Sequence, residues 1–151
     1  MSDNPFDQIA NLKKQKKKIV FTNGCFDLIH AGHVHYLNAA KKLGDVLVVG
    51  LNSDTSVQKL KGPSRPILTQ NERKEILSNL RSVDFVIIFD EETPQRLIEK
   101  IIPNVLIKGG DWTVDKIVGA DIVLQNGGEV VSGPLIEGRS TTAIIQKIKS
   151  L

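Results

Sequence analysis

Three short runs of nearly unbroken aliphatic residues limit what this chain can fold into. They lie in "DVLVVGLNSD" (45–54), "FVIIF" (85–89) and "NVLIKGGDW" (104–112). Runs of this length without polar alternation read as strands covered on both faces, the pattern of a parallel sheet packed between helices. A shorter strand, Lys18–Thr22, precedes them, and "GEVVSGP" reads as a fifth. Helical patterns lie between. From Tyr36, apolar or small residues at 36, 39, 40 and 43 form one face, and Gly44 reads as the glycine that ends it. Thr69 and Glu72 have capping-box spacing, with Ile76, Leu77 and Leu80 as the buried face that follows. Thr93 and Pro94 read as N-cap and first-turn proline of a helix burying Leu97, Ile98, Ile101 and Ile102. "GRSTTAIIQKIKSL" closes the chain as a helix capped near Ser140, with Ile144, Ile145, Ile148 and Leu151 inward. Strands and helices alternate with no repeat or long linker, which predicts a single α/β domain with right-handed crossovers.

Composition excludes several functional classes. A chain of 151 residues with 40% hydrophobic and 25% charged content suits one soluble domain. The net charge of +3 is local, because "KKQKKK" (13–18) holds five lysines. That run reads as a solvated face, so residues 1–17 are expected to be a polar basic leader and 18–151 the domain proper. No aromatic interleaving or reader motif accompanies the lysines, so no nucleic-acid partner is expected. No stretch nears the roughly 20 apolar residues of a membrane span, and the first residues lack a signal-peptide pattern. One cysteine, Cys25, rules out an intrachain disulfide and fits a reducing, cytoplasmic setting.

In sheets of this kind, ligands bind beyond the carboxyl ends of the strands, where strand order reverses. "NGCFD", "NSD", "KGGDW" and "EGRSTT" follow strands one, two, four and five, so all four loops share that edge. The three histidines all fall at 30, 33 and 35, in "FTNGCFDLIHAGHVHYL". His30 and His33 flank Gly32 at a helix start, where unpaired amides and the dipole favour an anion. Two imidazoles there can add donors to phosphate oxygens. A metal site drawing on Cys25 and Asp27 is a competing reading, although the spacing matches no standard zinc pattern. Satisfied structural histidines are a third. His35 falls on another side of the helix and reads as a surface residue.

"GCFDLIHAGH" resembles the HxGH motif of the nucleotidyltransferase superfamily, which includes cytidylyltransferases and class I aminoacyl-tRNA synthetases. "RSVDFVI" (81–87) is similar to the Arg-x-Val-Asp segment of its small members, and "EGRSTT" (137–142) to their Glu-Gly-x-Ser-Thr-Thr ending. The segments come in family order, and the resemblance runs from about Ile19 to Lys149. It implies a Rossmann-like, doubly wound, parallel five-stranded sheet of nucleotidyltransferase type. Within the family, "NSDTSVQKLKGPSRPI", "IKGGDW" and "PLIEGRSTTAII" are most similar to the adenylyltransferases of ADP-heptose synthesis. That activity is often the C-terminal domain of a bifunctional protein with an N-terminal sugar kinase. With about seventeen residues before the first strand, this chain resembles a stand-alone form or an excised domain. Gly24-Cys25-Phe26-Asp27 stands where glycerol-phosphate cytidylyltransferases more often have Gly-Thr-Phe-Asp.

The resemblance implies transfer of adenylyl from ATP, with Mg2+, to D-glycero-β-D-manno-heptose 1-phosphate, giving ADP-heptose and pyrophosphate for lipopolysaccharide core precursors. His30, His33 and Lys61 are then the candidate catalytic donors. Thr22, Asn23, Gly24, Cys25, Phe26 and Gly32 are expected along the nucleotide. Lys108, Gly110 and Asp111 are expected to approach it from the fourth strand, with Trp112 beside base or sugar. Ser140, Thr141 and Thr142 are expected on the β- and γ-phosphates, with plain helix capping as the alternative. On the acceptor side stand Lys59, Arg65, Arg73 and Arg81, with Asp27, Asn52 and Asp54. Four of these keep a second reading: Lys59 as a solvated lysine, as for Lys61, Asp27 as an anchor for its loop, Asp54 as Mg2+ contact or helix cap, and Arg81 as partner of a nearby Asp. Glycine and prolines in "KLKGPSRP" suggest a defined yet movable cover. No protein-only metal site is expected, and the small family members imply a homodimer. Competing functions are a glycerol-3-phosphate cytidylyltransferase, an FAD-synthetase-like enzyme, and a nucleotide-binding regulator without turnover. An RNA-linked role is set aside, because this length leaves no room for a tRNA-binding domain.

Overall fold

The computed structural model describes residues 2–133 and 140–151. Among the described residues, five strands form one parallel sheet: β1 (Ile19–Gly24), β2 (Val46–Asn52), β3 (Phe85–Phe89), β4 (Val105–Gly109) and β5 (Glu129–Gly133). Their order is β3-β2-β1-β4-β5. The chain begins at the centre, moves outward to β3, then crosses β1 to lay down β4 and β5. Strand order therefore reverses between β1 and β4. The ladder from β1 to β2 runs from Ile19 opposite Val46 to Gly24 opposite Leu51. That from β1 to β4 contains Val20 opposite Val105 and Phe21 opposite Leu106, and no further pair joins the two strands among the described residues.

Because successive side chains in a strand point to opposite faces, the aliphatic runs feed two apolar layers. One gathers Phe21, Val48, Ile87 and Leu106 under α1 (Pro5–Lys14), α5 (Gln95–Ile101) and α6 (Ala120–Gln125). The other gathers Val20, Leu47, Val49 and Ile107 under α2 (Ala31–Lys41) and α4 (Gln70–Ser78). Both faces are thus covered, as the unbroken runs require. The remaining helices, α3 (Asp54–Lys61) and α7 (Thr141–Ser150), start at the carboxyl edge of the sheet.

Several expectations are corrected. The segment read as a solvated leader contains α1: Ile9 is 1% exposed, and Phe6 and Leu12 pack against the first layer. Residues 6, 9 and 12 form a stripe that the lysine run obscured. Lys13 is not simply solvated, since its Nζ donates to the carbonyls of Ile101 and Ile102 at the C-terminus of α5. A cation there complements the helix dipole. Gly44 does not end α2, which stops at Lys41 with Lys42 as C-cap. A Cβ at Gly44 would lie 2.7 Å from the Lys18 carbonyl oxygen, so close packing demands the glycine.

The Thr69–Glu72 capping box is present. In α4, however, Arg73 and Leu77 take the inward positions while Ile76 is exposed. Pro94 is the N-cap of α5 and Thr93 supplies no cap bond. The helix α6 is unexpected from the sequence, and α3 is capped by Ser53 rather than by Asp54. On α7 the expected inward face is largely uncovered: Ile144 and Ile145 are half-buried, Ile148 is 59% exposed and Leu151 95%. Apolar spacing defines a face without saying what covers it.

Replacing Ile9 with Ala should cost about 2–5 kcal/mol in urea unfolding, as for other fully buried aliphatics. A solvated leader would change by less than about 0.5 kcal/mol.

Candidate active site

A cavity of about 390 Å³ opens at the carboxyl ends of β1 and β4, where strand order reverses. The chain reaches it from five directions. Asn23, Gly24, Cys25, Phe26 and Asp27 come from the end of β1, and His30, Gly32, His33 and Tyr36 from α2. Lys61 and Arg65 come from α3 and the segment after it, Lys108 and Gly109 from β4, and Ser140, Thr141 and Thr142 from the start of α7.

The imidazole pair is held by the helix it begins. His30 is the N-cap of α2, and its Nδ1 accepts the Gly32 amide at 3.1 Å. The Nδ1 of His33 accepts the His30 amide at 3.3 Å. This is a capping box in which both side chains are histidines. An Nδ1 that accepts a hydrogen bond carries no proton, so each neutral ring carries its proton on Nε2. The rings stack with centroids 4.0 Å apart at 29°, and Phe26 lies 5.4 Å from His33. Burial lowers the pKa of His33 to about 4, helped by His30 and Lys61 and opposed by Asp27. The site therefore offers neutral N–H donors rather than imidazolium. It also corrects the expectation that an anion meets the first amides of α2 directly, because the rings take two of them.

Asp27 is buried, with 1% exposure. Its Oδ2 accepts from the Ile67 amide at 2.7 Å and Arg65 Nε at 2.9 Å, and its Oδ1 from the Leu68 amide at 3.0 Å. Burial alone would raise its pKa, but the amides of Leu68 and Ile67 and the Arg65 guanidinium outweigh it and hold the carboxyl below its ordinary value. The Asp27 carbonyl accepts from Thr141 Oγ1 at 2.6 Å. This geometry is that of an anchor, with both carboxylate oxygens accepting hydrogen bonds from the segment after α3.

Other expected site residues divide clearly. Arg73 is fully buried and does not line the cavity: its guanidinium donates to the carbonyls of Cys25, Asn52 and Leu68 and to Asp54 Oδ1. Asp54 is thereby committed to Arg73, and the Asn52 amide donates to Ser56 Oγ at 2.9 Å. Both knit loops rather than face the cavity. Lys61 lines the cavity while Lys59 is exposed outside it, since residues two apart on a helix point nearly opposite ways. Both belong to α3 rather than to a loop. Arg81 is exposed before the amino end of β3, on the edge opposite these loops.

Lys108 lines the cavity, but Gly110 and Asp111 do not. The Gly110 amide donates to the Gly133 carbonyl with φ at 104°, a conformation suited to glycine. Trp112 Nε1 donates to the Gly109 carbonyl at 2.9 Å, and its ring lies 4.6 Å from Lys108 Nζ. Thr22 is buried and bonded to Tyr36, so it does not reach the cavity. Burial raises the Cys25 thiol pKa against the pull of Lys61, Arg73 and Arg65, which keeps it protonated. Ser140 Oγ caps α7 by accepting the Ala143 amide at 3.1 Å. His35 is exposed. Glu137, Gly138 and Arg139 of "EGRSTT" lie outside the described residues. Tyr36 is a lining residue that sequence reasoning missed, whereas Gly109 belongs to the "KGGDW" loop already expected at this edge. Its apolar spacing places Tyr36 on the core face of α2, which conceals the hydroxyl's second role.

A family model described as cytidylyltransferase-like matches residues 21–147. The chain belongs to the cytidylyltransferase-like family. Among its relatives is the bifunctional protein HldE of Geobacter metallireducens, 58% identical over 136 residues, which covers 90% of this chain and 28% of that protein. The HldE of Syntrophotalea carbinolica is 53% identical over 136 residues, with the same two coverages. The chain thus spans less than a third of these relatives. A solved structure, the lipopolysaccharide core biosynthesis protein of Thermoplasma volcanium, is 30% identical with a TM-score of 0.63, covering 82% of this chain and 99% of that one. Membership in the cytidylyltransferase-like family identifies the domain as a nucleotidyltransferase and agrees with a cavity built on paired histidines at the strand reversal. Among the described residues, no helix is long and apolar enough to cross a membrane.

The His33 ring also sets a pH dependence. The unfolded chain takes up the His33 proton near 6.5, the folded protein only near 4. Between these values the unfolded state binds more protons, so stability falls as pH drops through the window. Urea unfolding of the unliganded protein should weaken from pH 6.5 toward 4, and His33→Asn should flatten much of that slope.

Proposed function

We propose that the domain transfers the adenylyl group of ATP to D-glycero-β-D-manno-heptose 1-phosphate, releasing pyrophosphate and ADP-heptose. The observation that carries the transfer chemistry is the stacked pair of neutral imidazoles, each with an Nε2–H donor, at the mouth of the crevice. Support for the acceptor comes from the resemblance of "KLKGPSRPI" and its flanks, from the HldE relatives, and from the Thermoplasma lipopolysaccharide core protein.

In this reading, a phosphate oxygen of the sugar attacks the α-phosphorus in line. A new P–O bond forms as the bond to the bridging oxygen breaks, and pyrophosphate leaves with the electron pair. The nucleophile is already ionised, so no covalent enzyme intermediate is needed. The protein's work is positioning and charge stabilisation. His30 and His33 donate from Nε2 to the phosphate oxygens on which charge develops. Lys61 and Arg65 offset the repulsion between the two anions. Arg65 reaches Asp27 through Nε, which leaves its terminal N–H groups for phosphate. The start of α7 takes the β- and γ-phosphates. There Ser140 donates its hydroxyl proton, and Thr141 contributes its amide, because its hydroxyl is engaged by the Asp27 carbonyl.

Mg2+ belongs to this reading as an ion that arrives with the triphosphate. Among the described residues no group of three or more His, Cys, Asp or Glu could hold a metal, and both oxygens of Asp27 accept hydrogen bonds. That fits an ion held chiefly by phosphates and water. Bound there, it would neutralise phosphate charge. A cytoplasmic setting and a homodimer complete the proposal, the latter tested by sedimentation.

Pyrophosphate release should be measured with ATP or CTP crossed against heptose 1-phosphate, glycerol 3-phosphate and FMN. Release is expected with ATP and heptose 1-phosphate. His30→Ala and His33→Ala should each lower the rate on the order of 10²–10³-fold. Turnover with another pair would overturn the acceptor assignment. Nucleotide binding without release from any pair would overturn the enzyme reading.

A further inference from the structure

The ladder between β1 and β4 ends at Phe21 and Leu106, yet both strands continue toward the cavity. The first residues past the ladder are Thr22 on β1 and Ile107 on β4. Tyr36 stands between them. Its hydroxyl donates to the Ile107 carbonyl at 3.1 Å and lies 2.7 Å from Thr22 Oγ1. A hydroxyl has one proton, and Tyr36 gives it to Ile107, so Thr22 donates to Tyr36. The phenol thus bridges the two strands where the backbone ladder fails.

The ring itself is a wedge. Tyr36 is buried, packs in the α2-side layer with Ile107, and lines the cavity. It presses against the end of β5, where a Cβ at Gly133 would lie 2.8 Å from its Cε2. Burial raises the Tyr36 pKa to about 12, against the Thr22 hydrogen bond, so the hydroxyl remains a proton donor and is no catalytic base.

We propose that Tyr36 is a positioning residue, a strut that sets the width of the crevice between β1 and β4 in which the nucleotide lies. The inference rests on the nucleotidyltransferase reading above and adds a determinant of nucleotide affinity that touches no reacting atom. It accounts for the burial of Thr22, which the sequence had suggested as a ligand contact. It also explains why a helix that packs on the sheet inserts a hydroxyl between strands instead of an aliphatic side chain.

The test is calorimetric titration of ATP into wild type, Tyr36→Phe, Thr22→Val and the double variant, with melting temperatures of each unliganded protein and acceptor KM in parallel. Tyr36→Phe, which removes both bonds of the bridge, should weaken ATP binding by about tenfold, and Thr22→Val, which leaves the bond to Ile107, by a smaller factor. The double variant should be no weaker than the worse single one, because both break one bridge. Acceptor KM should stay within about twofold, the split that a generally loosened fold would not give. Thr22→Ser keeps the hydroxyl and should rescue affinity, and it carries the comparison with Thr22→Val if Tyr36→Phe does not fold. Unchanged ATP affinity in the single variants, or losses that simply add, would overturn the strut. If wild type binds no ATP, the parent reading falls. The bridge is then judged on melting temperatures, where non-additive losses keep it and additive losses overturn it.

Discussion

The buried carboxylate of Asp27 is the interaction on which the site depends. A carboxylate with 1% exposure is tolerable because amides and a guanidinium satisfy it. Those donors come from the segment after α3, while the residue itself follows β1 and its carbonyl binds Thr141 at the start of α7. Three stretches distant in sequence are thus fixed to one another within a few ångströms. Arg73 does the complementary work. Its charge is buried against Asp54 and three backbone carbonyls, and it joins the β1 and β2 loops to the start of α4. Removing Arg65 would strand the buried Asp27 carboxylate, and removing Asp54 the buried Arg73 guanidinium, which is why such pairs are strongly destabilised by truncating the more exposed partner.

On that frame the histidines gain their character. Imidazoles inserted between helix amides and a cavity are fixed in tautomer and in rotation. They deliver N–H donors without a net charge that a mild change of pH could remove. The cationic contribution is left to Lys61, Arg65 and Lys108, which ring the cavity. Fixed dipoles thus stand beside full positive charges around one cavity. This division suits a reaction between two anions.

The sheet was legible because VLVVGL and FVIIF leave no other reading, and their loops could be assigned to one edge from alternation alone. The HAGH cluster stood out by composition, with all three histidines close together. Tertiary convergence was hidden. Nothing in the sequence says that the carbonyls of Cys25, Asn52 and Leu68 meet, so Arg73 read as a phosphate ligand. The charged run after Leu12 concealed the stripe of α1, and Thr22 read as a loop-edge contact because its partner lies fourteen residues on, on a different element. Lys59 and Lys61 could be separated only once they were known to share a helix.

The unequal ladders of the sheet have a mechanical consequence. The β1–β2 seam is bonded along its length, whereas the β1–β4 seam is bonded over two residue pairs. Considered as a material, the sheet is a pair of stiff plates, β3-β2-β1 and β4-β5, sewn together by a short stitch and by the apolar layers on either side. A shearing load would concentrate at that stitch and part the plates there first. Among the described residues, the crevice at the strand reversal therefore lies on the seam of the sheet with the fewest paired residues.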